Sequence, residues 1–359
     1  MFRIKTISAL QFRNYASDTF HFDEKVTAIC GKNGAGKTNL LDAVHFLCLT
    51  KSYFGKSDLQ SVQHGAQGFR INGLFERKEE EITVELILRE SAKKELRVDS
   101  ELVPVFSQHI GKLPVVFIAP DDISLIAGGS EERRKLIDSL LSQLDAEYLH
   151  SLIRYNRSLL ERNKYLKSTE PYHLDHALLD AFDQQLVQWG TLIDERRSAF
   201  FQQFIPKVAQ LYGDFSSQME RPSITHVRGI PGADFSALLQ SARQKDIFSQ
   251  RTTIGIHRDD LLFEMDQLPF KLVASQGQKK SLLFALKLAC FQLLTAHNQF
   301  EPILLLDDVF EKLDADRLNQ LLKYVTKENN GQVLLTDTHA DRMRHALDNI
   351  SVPYQSITI

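Results

Sequence analysis

The segment GKNGAGKT sets Gly31, Lys32, Asn33, Gly34, Ala35, Gly36, Lys37 and Thr38 in the order G-x-x-x-x-G-K-[ST]. That pattern suits phosphate chemistry. The glycines let successive backbone N–H groups turn inward on anionic oxygens, Lys37 reaches the β and γ phosphates, and Thr38 offers a hydroxyl to Mg2+. KVTAIC before it reads as a short apolar strand, and NLLDAVHFLCL after it as a helix whose positive end faces the phosphates. Much further along, EPILLLDDVF is an apolar run that ends in two carboxylates, as a buried parallel strand does when it delivers acids to a ligand at its carboxyl end. Asp307 is expected to hold Mg2+, directly or through water, and Asp308 to polarise the attacking water or accept its proton. Many parallel strands end in Asp at a loop, so the acid pair draws its weight from its neighbours.

Those neighbours are informative. SQGQKKS, Ser275 to Ser281, stands one helix and one strand ahead of Asp307. Its Ser275, Gly277 and Gln278 resemble the signature motif of ABC-type ATPases, in which a serine hydroxyl and a glycine N–H at a helix start bind the γ phosphate held by the opposite subunit. Asp314 in EKLD resembles the D-loop aspartate. GQVLLTDTHA ends in a strand-terminal His339, which reads either as the switch histidine on the γ phosphate or as a structural residue. Ser275 is not placed to cap the ATP of its own Lys37, so the pattern implies a two-fold homodimer with ATP between the chains.

Around these residues the chain must build an ordinary globular scaffold. Its 359 residues are 43% hydrophobic and 25% charged, which excludes a disordered or disulfide-framed chain. Cys30, Cys48 and Cys290 lack C-x-x-C spacing, so buried reduced thiols are expected. Lys plus Arg at 43 against Asp plus Glu at 46 gives a net charge of -3, so any DNA contact must come from a local patch. The longest apolar run, Ser281 to Ala296, carries Lys287 and falls short of the roughly 30 Å of a bilayer, and the N-terminus lacks a secretion pattern. A cytoplasmic location is expected.

The fold class read from the pattern is α/β. Residues 1–118 and 250–359 are expected to form an ATPase lobe with a P-loop core sheet and an antiparallel β part, interrupted by a helical lobe over 119–249. Ile82, Val84, Leu86 and Leu88 alternate within Arg70 to Glu90 and predict the antiparallel sheet. Leucines at three- to five-residue intervals from Leu136 to Leu152, with Leu159 and Leu166 beyond them, predict helices across Ser130 to Phe204. Strands are expected again at Ser223 to Val227 and Arg251 to Phe263, followed by helix, strand, helix, strand.

Several segments narrow the class. LQFRNY, Leu10 to Tyr15, shortly before the P-loop is similar to the SMC and RecF class of ABC-type ATPases, and no sustained heptads of a long coiled coil follow. PDDISLIAGGSEERRKLID, Pro120 to Asp138, resembles a RecF-family signature with Ser130 where proline is usual. IGIHRDDL, Ile254 to Leu261, and LLLDDVFEKLDADRLNQLL, Leu304 to Leu322, resemble two further stretches of that family, Glu311 and Lys312 being departures. The resemblance implies an SMC/RecF-like head that binds ATP and Mg2+ and acts as a weak DNA-dependent ATPase. It also implies a DNA-binding recombination mediator in replication and repair, at single-strand/double-strand junctions or gaps, that assists RecA loading and the SOS response, with RecR and RecO as partners. The arginine of the opening motif lies over the nucleotide in SMC-class heads, so Arg13 and Asn14 carry over as ATP contacts, with a solvated strand-end arginine as the other reading. Asp308 stands where transporters have Glu, and one methylene fewer moves the base back from the water, which predicts slow hydrolysis.

RYNRSLLERNKYLK, Arg154 to Lys167, holds Arg154, Arg157, Arg162, Lys164 and Lys167 against the single acid Glu161. Arg154, Arg157, Arg162 and Lys164 are the candidate DNA contacts; a solvated helix face is the other reading. Lys51, Lys56, Arg133 and Arg134 are weaker candidates. The rival functions are an ATPase subunit of a transporter and an SMC-like nuclease.

Overall fold

The computed structural model describes residues 1–55, 57–216, 222–232, 234–308 and 315–359. They form two compact units. Met1–Ile123, Leu211–Ser217 and Ser275–Ile359 make the first, Ser124–Gln210 and Gln218–Ala274 the second. The segment 250–274, expected in the ATPase lobe, therefore groups with the helical unit, and 119–123 with the ATPase unit.

The first unit starts with β1 (Phe2–Phe12), β2 (Tyr15–His21), β3 (Val26–Cys30) and α1 (Lys37–Leu49). β4 (Phe69–Arg77), β5 (Glu80–Leu88), β6 (Lys94–Val98), β7 (Glu101–Leu102) and β8 (Val115–Ile118) follow. The second unit contributes α2 (Ser124–Ala127), α3 (Ser130–Leu144), α4 (Ala146–Ser168) and α5 (His176–Phe215), whose last turn groups with the first. It continues with β9 (Ser223–Val227), α6 (Phe235–Ser249), β10 (Asp260–Met265), β11 (Leu268–Pro269) and α7 (Phe270–Val273). The first unit is completed by α8 (Gln276–Asn298), β12 (Ile303–Leu306), α9 (Ala315–Lys323), β13 (Val333–Asp337), α10 (Ala340–Asn349) and β14 (Gln355–Thr358).

The alternation seen around Ile82 becomes β4 and β5, paired antiparallel within a sheet of order β2-β1-β4-β5-β6-β7. Val84, Leu86 and Leu88 point into the core while Thr83 stays outside. The apolar runs without alternation form β3, β13, β12 and β8, buried on both faces of the parallel sheet β14-β3-β13-β12-β8, whose edge strand β14 is partly exposed. Helix α1 lies between the two sheets, so it buries Leu40, Leu41, Val44, Phe46 and Leu47 with no polar stripe. Each large side chain removed from water there contributes roughly 1.5–3 kcal/mol, and Leu41→Ala would cost about 2–5 kcal/mol through the cavity it leaves.

In the second unit the leucine periodicity becomes α3, α4 and α5, broken by a short turn at Pro171–His173. The strand expected over Arg251 to Phe263 begins only at Asp260. The reason is local: the backbone N–H of Thr252 donates to Asn163 Oδ1 (2.7 Å) and that of Thr253 to Asp246 Oδ1 (2.9 Å), so side chains take the donors a strand ladder needs. A tight turn at Ile256–Arg258 completes the departure. All three cysteines are free and buried. Among the described residues no helix is long and apolar enough to cross a membrane.

Candidate functional site

Four loops gather at the carboxyl end of the parallel sheet, following β3, β8, β12 and β13. The loop after β3 holds Gly31 to Gly36, with Lys32, Asn33 and Gly34 exposed. Gly36 sits at φ 122°, and a Cβ there would fall 2.5 Å from Asn14 Nδ2 and 2.8 Å from the Tyr15 hydroxyl. Only glycine admits that approach. Tyr15 donates to Gly36 O (2.9 Å) and Asn14 Nδ2 to Ala35 O (2.7 Å), so the β1–β2 hairpin straps the loop from outside. Lys37 is buried and donates to Gly31 O (2.9 Å) and Lys32 O (3.2 Å), an ammonium held inside a ring of carbonyls.

Helix α1 and β12 meet at one point. Thr38 Oγ1 donates to the Asp307 carboxylate at 3.0 and 2.9 Å, joining residues far apart in the chain. Thr336 Oγ1, at the neighbouring position on β13, donates to Asp307 Oδ1 (2.8 Å) and accepts the Asp308 N–H (2.9 Å). Burial pushes the Asp307 carboxyl up to about 6, and adjacent Asp308 adds to the rise; the Thr336 and Thr38 hydroxyls and Lys37 oppose it. Asp308 has φ 42°, an uncommon conformation for a non-glycine residue. A buried carboxylate held by hydroxyls, next to a second carboxylate, fits a hard divalent cation. Thr38 and Asp307 are the residues that could hold such a cation.

Ser275 is the N-cap of α8 and is exposed. Its Oγ accepts the Gln278 N–H (3.2 Å) and Gln278 Oε1 accepts the Ser275 N–H (2.6 Å), a capping box that accounts for the Ser-x-x-Gln spacing locally. A Cβ on Gly277 would lie 2.0 Å from an Arg317 guanidinium nitrogen, so glycine leaves room for α9. His339 follows β13 as the N-cap of α10, its ring exposed and its Nδ1 2.8 Å from Thr338 Oγ1. Asp314, Glu311, Lys312 and Lys56 lie outside the described residues.

Arg13 occupies the hairpin turn at φ 53°. Its guanidinium donates to Asn39 Oδ1 (2.8 Å), Asp42 Oδ2 (2.5 Å) and Ser52 Oγ (3.0 Å), so it ties the hairpin to α1 instead of standing as a solvated strand-end arginine. Asn39, Asp42 and Thr336 were not singled out from the sequence. They carry no motif of their own; only the pairing of strands and the packing of the hairpin bring them to the loop.

The basic stripe on α4 divides. At 100° per residue Arg154, Arg157, Glu161 and Lys164 share one exposed face, whereas Tyr155, Ser158, Arg162 and Leu166 turn inward. Arg162 is fully buried, donating to Asp183 Oδ1, Asp246 Oδ2 and Thr252 Oγ1, each at 2.8 Å, and is therefore no DNA contact. Arg154 lies 5.4 Å over the Trp189 ring, and Arg157 pairs with Glu161 at 3.0 Å. Arg133 is likewise withdrawn: it forks onto Asp260 at 2.7 and 3.1 Å, while Arg134 donates to Asp259 O (2.7 Å). The arginine pair of the first family-like stretch and the Ile254 to Leu261 stretch thus lock to each other inside the second unit.

Residues 3–358 match the RecF/RecN/SMC N terminal domain family. A DNA replication and repair protein RecF of Flavobacterium johnsoniae is 38% identical over 340 residues, 94% of this chain and 95% of that one. One from Bacteroides thetaiotaomicron is 38% identical over 355 residues, covering 98% and 95%. A solved structure of the recombination mediator protein RecF-ATP in the RecFOR pathway superposes with a TM-score of 0.86 at 27% identity, covering 94% of this chain and 92% of that one. An Smc head domain from Pyrococcus furiosus, at TM-score 0.55 and 15% identity over 96% and 92%, shares the fold. With family pattern and relatives both spanning nearly its whole length, the chain belongs to the RecF family and has the SMC/RecF-type ABC ATPase head fold.

Proposed function

We propose that this chain is an ATP-binding, DNA-binding recombination mediator of DNA replication and repair. The observation that carries the reading is the meeting of Thr38 with Asp307, which assembles phosphate loop and acid pair into one site. ATP draws Lys37 from the Gly31 and Lys32 carbonyls onto the β and γ phosphates, and the Gly31 to Gly36 backbone and the start of α1 cradle the rest. Mg2+ supplies charge neutralisation when bound at Thr38 and Asp307. Asp308 orients the attacking water and takes its proton, with His339 as the γ-phosphate contact. Arg13 and Asn14 hold the loop's outer wall.

The exposed Ser275 and the N–H of Gly277 at the start of α8 serve the nucleotide of a second copy, so ATP closes a homodimer and slow hydrolysis opens it. DNA at single-strand/double-strand junctions binds the paired chains, with Arg154, Arg157 and Lys164 as phosphate contacts. The RecFOR setting of the similar solved protein supports RecR and RecO as partners; RecA loading, with the SOS response, is the outcome that the family resemblance implies. We assign the ATPase lobe to the first compact unit and the helical lobe to the second.

Sizing the protein with Mg2+-ATP, with ADP and without nucleotide tests this. Pairing is expected with ATP alone, and Ser275→Arg is expected to abolish it while the chain still retains ATP. A Ser275→Arg protein that pairs on ATP defeats the signature assignment. Equal affinity for gapped duplex with ATP, with ADP and in Lys37→Met defeats the clamp.

A further inference from the structure

Within the first unit, a continuous series of polar contacts runs from the phosphate loop to the middle of α8. Ala35 O accepts from Asn14, Asn14 Oδ1 accepts from Asn39 Nδ2 (2.6 Å), and Asn39 Oδ1 accepts from Arg13, which also holds Asp42. The second Asp42 oxygen accepts the Tyr53 N–H (2.8 Å). The Tyr53 hydroxyl donates to Asp122 Oδ1, at the end of β8. Lys287 Nζ, on α8, donates to the Tyr53 hydroxyl oxygen (2.6 Å) and Phe117 O (2.8 Å) and lies 3.0 Å from Asp122 Oδ2.

Lys287 is an ammonium buried in a largely apolar helix. Aliphatic side chains of similar volume in place of both Lys287 and Asp122 would spare the desolvation of two charges, so the pair is weakly explained by stability alone. Its partners come from the β8 end and from the segment after α1, and none from α8 itself. The Tyr53 ring stacks on Phe117 with centroids 4.3 Å apart, which fixes the direction of its hydroxyl.

We propose that Tyr53, Asp122 and Lys287 are positioning residues that couple the filling of a chain's own phosphate loop to the orientation of its α8, and so to the readiness of its Ser275 for the second copy's nucleotide. The inference rests on the proposed reading of the phosphate loop and of Ser275. Nucleotide binding resets the loop to which Asn14 is bonded; the shift passes through Arg13 and Asp42 to the Tyr53 backbone, and its hydroxyl adjusts Lys287. Lys287 stands about three turns from Ser275 on one uninterrupted helix, so a tilt there moves the helix start. The element that makes or breaks is the contact of Tyr53 with Lys287.

Hydrogen exchange of the amides of residues 276–282, measured with and without Mg2+-ATP at a protein concentration where sizing shows a monomer, tests the coupling. The native chain is expected to slow by about ten-fold on ATP. Tyr53→Phe keeps the ring stack and loses the hydroxyl. It is expected to exchange as the native chain does without nucleotide, to bind ATP within about two-fold of native, and to lose the slowing. Lys287→Met is expected to lose it likewise. A slowing that persists in both variants, a native α8 that ignores bound ATP, or a changed nucleotide-free exchange in Tyr53→Phe overturns the inference. A native chain that binds no ATP overturns the reading of the loop instead, and the binding measurement separates the two.

Discussion

In the second unit, buried Arg162 is answered by Asp183 and Asp246, and buried Arg197 by Asp138 and Asp259, so each charge inside the helices is closed on a partner of opposite sign. In the first unit, buried Asp307 has hydroxyls for partners and a second carboxylate beside it. The protonation behaviour follows. Asp259 is held below the ordinary carboxylate range, against its burial, by His226 and Arg197 and by the Gly229 N–H, while burial pushes Asp307 up to about 6. Closed networks specify how helices pack, whereas a carboxylate left short of positive charge marks a place for a ligand.

The largest effect expected is on the closed network. Arg162→Met strands Asp246, Asp183 keeping Arg243 at 2.6 Å, and should destabilise the protein by about 3–5 kcal/mol, read as a lower melting temperature, with ATP affinity of the folded fraction unchanged. A variant as stable as native would break the contrast between the units.

Asp307→Asn should act in the opposite direction on stability. The Asp307 carboxyl titrates near 6 when folded against an ordinary value of 3.8. The folded state therefore holds its proton longer, and stability falls as pH rises between those values, by on the order of 2–3 kcal/mol. Above pH 6 the ligand-free Asn variant should melt higher than native and be inert in ATP hydrolysis. Asp259 has the reverse sign: its stabilisation is full above the ordinary carboxylate value and lost as pH falls through its lowered one. Melting curves of native, Asp307→Asn and Asp259→Asn proteins from acid to neutral pH would show the two slopes; parallel curves would erase the distinction.

Smaller effects are expected on the open face of α4. Arg154→Ala and Lys164→Ala should each weaken ATP-dependent DNA binding and lower its salt slope by about one, while leaving the melting temperature unchanged because both side chains are exposed. Salt titrations on gapped duplex check this, and an unchanged slope in both removes the stripe as a DNA contact. Arg157→Ala, which breaks an exposed pair with Glu161, should be the mildest.

The phosphate loop was legible because its chemistry is contiguous: strand, glycines, lysine and helix follow one another in the chain. The Ser275 to Gln278 spacing was legible for a related reason, since a capping box is local, although the spacing alone does not separate a cap from a signature. Arg162 was misread because charge counted along a helix says nothing of which side faces the core. Thr336 was invisible, since a threonine at the end of an apolar run acquires meaning only when β13 pairs with β12 and sets it beside Asp307. The strand expected from Arg251 failed where nearby Asp246 and Asn163, distant in sequence, captured its backbone donors.

By itself, then, the order of residues determined the class of fold, the identity of the phosphate loop, the acid pair and the apolar strands beneath them, because each depends on neighbours within one or two elements. Tertiary structure decided which charges are closed and which are open, that the Arg13 hairpin braces α1, and that a lysine in the apolar helix α8 reaches a tyrosine after the phosphate-loop helix. Those outcomes depend on burial and on contacts between distant segments, and burial is what turns an ordinary carboxylate into one whose charge must be met.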